Sequence, residues 1–119
     1  MTSQANFFRK PSRNKYGAKK TLVGDINFDS KKEAGRWMEL QLLERAGVIS
    51  ELQRQVKIEL MGQHDPLLTR TGRKMRFTVD FAYTEKGAVI YEDVKGYATR
   101  DYEVRVAAAR AMGLEVKET

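Results

Sequence analysis

Cysteine is absent from the 119 residues, and histidine occurs once, at His64. The chain therefore has no disulfide framework, no zinc finger, no thiol nucleophile and no site built from several imidazoles. A catalytic metal would have to sit on carboxylates. No apolar run approaches the ~20 residues needed to cross a bilayer, and the opening MTSQANFFRK lacks the apolar stretch of a signal peptide. A cytoplasmic protein without a membrane segment is expected. Acidic residues are missing from residues 1–20, which carry Arg9, Lys10, Arg13, Lys15, Lys19 and Lys20. The 22 basic residues less these six leave 16 against 16 acidic ones, so the net charge of +6 belongs to this segment and the remainder is formally neutral.

What is present has the balance of one globular domain: 41% hydrophobic and 32% charged residues, in a chain too short for two ordinary cores. The expected division is a basic arm over residues 1–20 and a single folded domain over 21–119. Basic residues interleaved with Asn6, Phe7, Phe8, Asn14 and Tyr16 suit contact with nucleic-acid phosphates, Lys15, Lys19 and Lys20 among them. The plainer reading of the arm is a solubilising terminus. Arg70, Arg73, Lys74 and Arg76 form a second basic cluster.

Along the chain, TLVGDINF (21–28) carries a hairpin signal at Gly24-Asp25. Residues 30–46 read as a helix, with Ser30 and Glu33 as a capping box and Gly47 as the stop. Val56, Ile58 and Leu60 alternate with polar residues, as in a strand covered on one face. A polar loop over 61–74 follows. Met75 to Tyr83 alternates again, the turn Glu85-Lys86-Gly87-Ala88 leads into Val89–Lys95, and Thr99 caps a second helix running to Gly113. Residues 114–117 offer a last short strand.

The hairpin predicts a site. If Lys86-Gly87 is a two-residue loop, Glu85 pairs with Ala88, and counting outward sets Asp80 opposite Asp93. Lys95, two residues further on, shares that face, and Glu92 points to the other. A three-residue loop would bring Glu92 opposite Asp80 instead. Like charges facing each other on a sheet cost about 0.2–1 kcal/mol when solvated. The offset is either a hard divalent cation or a salt-bridged Asp80, Lys95 and Asp93 cluster. Glu33 lies on one helix stripe with Trp37 and Leu40, which should pack on the sheet, so it is both a cap residue and a candidate ligand. The N-terminus of the second helix, close after Lys95, favours a bound phosphate, with Arg100 and Arg105 as candidate backbone contacts.

Asp80, twelve intervening residues, then Asp93-Val94-Lys95, with a glutamate-bearing helix before and a helix after, resembles the PD-(D/E)XK nuclease core. NKYGAKKTLVGDINFDSKKEAGRWMELQLLERAGVI and VDFAYTEKGAVIYEDVKGYATRDY are similar to small phage- and prophage-encoded endonucleases grouped with Holliday-junction-resolvase-like proteins. The resemblance covers roughly residues 14–110. It implies an α/β fold with a restriction-endonuclease-like core (α-β-β-β-α-β), a small mixed sheet flanked by two helices. It further implies Mg²⁺ or Mn²⁺ on Asp80 and Asp93, with the Val94 carbonyl and Glu33 as further ligands, and Lys95 acting on the attacking water and the scissile phosphate. Gln55 stands where such proteins often have a glutamine. The motif's proline is replaced by Val79. The implied activity is hydrolysis of DNA phosphodiesters, with branched DNA as a candidate substrate and a homodimer expected for junction resolution. Two other readings stay open: a non-catalytic basic nucleic-acid-binding protein, and a degenerate nuclease fold serving as a structural subunit.

Overall fold

The computed structural model describes residues 21–94 and 98–119. Its elements are β1 (Thr21–Val23), β2 (Ile26–Phe28), α1 (Lys31–Arg45), β3 (Ser50–Glu59), β4 (Arg76–Glu85), β5 (Ala88–Asp93), α2 (Arg100–Ala111) and β6 (Glu115–Glu118). The fold is mixed α/β: β1 and β2 form a two-stranded hairpin, and β3-β4-β5-β6 a four-stranded sheet. Within that sheet β3, β4 and β5 are antiparallel neighbours, while β6 runs parallel to β5. Among the described residues no helix is long and apolar enough to cross a membrane.

Local chemistry accounts for the boundaries. Ser30 and Thr99 are extended N-caps whose hydroxyls accept from the amides of Glu33 and Tyr102, satisfying N–H groups that have no partner within the helix. Lys86 and Gly87 both have positive φ, +52° and +81°, the conformation of a two-residue hairpin turn whose twist matches the strands. Glu85 pairs with Ala88 and Phe81 with Glu92, so the next pair outward is Asp80 with Asp93.

Two apolar clusters hold the layers together. α1 and the β1–β2 hairpin pack on Phe81, Tyr83 and Ile90 through Phe28, Ala34 and Leu40, joined by Ile49 from the connection between α1 and β3. Trp37 stacks on Phe81, with ring centroids 5.8 Å apart and planes 13° from parallel. α2 packs through Val106 and Ala109 on Ile58, Leu60, Phe77, Val79 and Val116. The long strand β4 serves both clusters, and Asp80 falls between Val79 of one and Phe81 of the other. The 61–74 loop carries two isolated bridges, Met61 with Pro66 and Leu68 with Lys74, and tucks Leu67 against the second cluster.

Candidate active site

The carboxylates of Asp80 and Asp93 are each held by a backbone amide of the facing strand or its continuation. The Asp80 amide donates to Asp93 Oδ1 at 3.1 Å, and the Val94 amide donates to Asp80 Oδ2 at 2.8 Å. Where the ladder between β4 and β5 runs out, the side chains take over its hydrogen bonds. One oxygen of each carboxylate is thereby held, which fixes its orientation. The residue that follows β6 braces the same point, since the Thr119 amide donates to the Asp93 carbonyl.

Glu33 comes to this pair from α1. Its residue is 5% exposed, and its carboxylate accepts from Gln55 Nε2 at 3.3 Å, the same nitrogen that lies 3.5 Å from Asp80 Oδ1. Ser30 caps the helix, but the glutamate's own carboxylate is turned to the sheet. Burial, and then the charges of Asp80 and Asp29, push Glu33 up to about 7, against an opposing pull from Arg54. Burial followed by Asp80 likewise pushes Asp93 up to about 7, against hydrogen bonds from the Asp80 backbone and Tyr102. Desolvated like charges of this kind cluster at functional sites.

Among the described residues no three carboxylate, imidazole or thiol groups stand together as a ready metal cage. The fold assembles two overlapping pairs, Glu33 with Asp80 and Asp80 with Asp93. Their oxygens are hard donors, and Mg²⁺ is commonly held by one or two carboxylates together with water and substrate phosphate. The Asp80 and Asp93 pair, oriented by backbone amides, fits such an ion.

Gln55 stands out in the backbone as well. It occupies β3 between the pairs Arg54 with Phe81 and Val56 with Val79, and its φ of +51° is a strained value for a residue with a side chain. That strain delivers its amide between Glu33 and Asp80. Arg54, beside it, lies over the rings of Phe28 and Trp37, 4.6 and 5.6 Å from their centroids. Its Nε is buried without a hydrogen-bond partner.

Spacing alone did not mark Arg54 or Tyr102. Tyr102, in the first turn of α2, donates from its hydroxyl to Glu118 Oε1 at 3.3 Å, and burial, then the charges of Asp93 and Glu118, raise it above its ordinary range. Its position three residues after the cap Thr99 was the available signal. Glu92 behaves as the register requires and belongs to the α1 side. It is fully buried and accepts from Arg36 Nε and Nη2, from the Tyr83 hydroxyl at 2.6 Å and from Thr119 Oγ1 at 3.1 Å.

Lys95 lies outside the described residues, as do Lys15, Lys19 and Lys20. Arg70, Arg73, Lys74 and Arg76 are exposed, with Lys74 Nζ 3.7 Å from Glu59. Arg100 is exposed at the start of α2. Arg105 is committed within the fold, donating to Asp101 Oδ2 at 2.8 Å and to the Arg76 carbonyl, so it ties α2 to β4.

No curated protein matches the sequence. A family model described as a protein of unknown function, DUF1064, matches residues 13–119, which takes in every element described above, and the chain belongs to that family.

Proposed function

We propose that the protein is a metal-dependent DNA endonuclease of the PD-(D/E)XK type. The observation that carries the reading is the pairing of Asp80 with Asp93 on adjacent strands, each oriented by a backbone amide, with Glu33 brought alongside by Gln55. A structural salt-bridge cluster would keep such carboxylates readily ionised, whereas burial and mutual repulsion raise Glu33 and Asp93 to about 7. That electrostatic cost is one a bound cation relieves.

Asp80 and Asp93 would hold Mg²⁺ or Mn²⁺, with Glu33 the further carboxylate and the Val94 carbonyl an additional ligand. When bound, such an ion polarises a phosphoryl oxygen and makes a coordinated water more acidic. The chain's own groups do the rest. Gln55 and the backbone amides fix the carboxylates, and Lys95 is assigned to orient the attacking water and offset charge growing on the scissile phosphate. The substrate class is DNA, branched DNA included. Symmetric cutting of a junction would call for a homodimer, and the compartment would be the cytoplasm of a bacterial host.

The test incubates the protein with supercoiled plasmid and a synthetic four-way junction in Mg²⁺, Mn²⁺ or EDTA, beside Lys95→Ala and Asp80→Ala. Cleavage that needs the metal and is lost in both variants is the expected result. Paired symmetric cuts in the junction would make it a resolvase. Binding without cleavage under every metal would replace the reading with a non-catalytic nucleic-acid-binding protein.

A further inference from the structure

A cleft of about 390 Å³ runs between the first turns of α1 and the end of β6. That volume is within the range of small-ligand sites. Among the described residues, Lys31, Lys32, Arg36 and Lys117 line it against the acidic Glu39. Arg36 is spent on the buried Glu92 and on Glu39. Lys31 and Lys117, exposed on opposite walls, carry the charge that faces outward. The floor includes Val94, the residue whose amide donates to Asp80. Val94 is the residue the cleft shares with the candidate active site, while Asp80 and Asp93 themselves do not line it.

Gly35 also lines it, in the interior of α1. Glycine inside a helix is unfavourable relative to alanine because it gives up more backbone freedom. A reason within the fold would be a crowded neighbour, yet a methyl group built at Gly35 meets nothing within 4 Å outside its own stretch of helix. The missing side chain leaves open space where α1 lines the cleft.

We infer that this cleft binds the phosphodiester backbone of the nucleic-acid strand leading away from the Asp80 and Asp93 pair, with Lys31 and Lys117 contacting phosphates on either side and Gly35 letting the strand approach the helix. The inference rests on the endonuclease reading for the strand's direction, while the binding itself does not need cleavage. The shared chemistry is a phosphate ester. A free phosphate compound is the competing source; basic residues on both walls, with Val94 linking the floor to Asp80, favour the strand.

The experiment measures binding of a labelled DNA duplex to the full chain in EDTA across a salt series. The variants are Lys31→Gln with Lys117→Gln, and Gly35→Met, with inorganic phosphate as competitor at matched ionic strength. The lysine pair should weaken binding roughly tenfold or more and make the salt slope shallower by about two. Gly35→Met should melt no lower than the parent, since it replaces glycine by a good helix former, yet bind several-fold more weakly. Parental affinity and slope in the lysine variant overturn the inference, and so does displacement of DNA by inorganic phosphate. Cleavage by a parent whose variants bind normally removes this inference and leaves the nuclease. Weakened binding in variants of a parent that never cleaves does the reverse.

Discussion

Asp80 is the largest charge acting on both raised carboxylates, Glu33 and Asp93. Both are held near 7 in the fold against ordinary values of 4.5 and 3.8, so between about pH 4 and pH 7 the folded state binds more protons than the unfolded one. Stability from these groups is therefore complete at the acid end of that window and is lost as the pH rises through 7. In EDTA the melting temperature should fall from about pH 5 to about pH 8, Mg²⁺ should restore it at the upper pH, and Asp80→Asn should flatten both effects. A metal-free protein that melts at the same temperature across the range would remove the electrostatic basis of the site. Glu92 shows the opposite balance. Burial alone would raise it, but hydrogen bonds from Arg36, Tyr83 and Thr119 and the charge of Arg36 outweigh burial and hold it below the usual carboxylate range. Its contribution is present at neutral pH and disappears only as the pH drops below that range. Arg36→Met leaves this carboxylate buried without its cation, which should cost about 3–5 kcal/mol in urea unfolding at neutral pH. Adding Glu92→Gln should recover much of that loss.

The elements divide by how locally each is determined. Both helices announce themselves through their caps, Ser30 and Thr99, and the Lys86-Gly87 turn sets the register of β4 on β5. These depend on neighbours within a few residues. β3 does not: it begins at Ser50, six residues before the alternation of Val56, Ile58 and Leu60 becomes visible, and its pairing slips between Ser50 and Gln53, where Glu51 has a φ of +55°. Nothing in SELQRQ marks that irregularity, because what stabilises it is the packing of β4 and the contact of Leu52 with Glu44 across the turn. The same holds for Gln55, a residue whose importance comes from a strained φ and a long-range partner. Gln55→Gly should relieve about 1–3 kcal/mol of backbone strain while deleting the amide between Glu33 and Asp80. The expected outcome is a melting temperature at or near the parent's with cleavage strongly reduced. A variant that loses stability in proportion to activity would make Gln55 a packing residue.

At the scale of the whole molecule the charge is unevenly divided, with six basic residues and no acid in residues 1–20 and a formally neutral remainder. On the proposed nuclease reading this division would separate affinity from chemistry. On that reading the arm would add phosphate contacts that any sequence satisfies, and each would release counterions, so that binding strength would fall steeply with salt. On the same reading the acidic pair would work against binding, because Asp80 and Asp93 would present negative charge where a phosphate must come. Two changes should therefore move binding in opposite directions. Deleting residues 1–13 removes Arg9, Lys10 and Arg13, which should weaken binding to every DNA alike and make the dependence of log affinity on log salt shallower by up to about three. Asp80→Ala should leave affinity in EDTA unchanged or raise it while abolishing cleavage in Mg²⁺. The discriminating quantity is the ratio of the two readouts across the variants. If the deletion lowers cleavage only as far as it lowers binding, the arm is a tether and the chemistry belongs to the folded domain. If the deleted protein binds as tightly as the parent and its salt slope is unchanged, the phosphate contacts lie on the folded body, and the cleft lined by Lys31 and Lys117 is where they would be sought first.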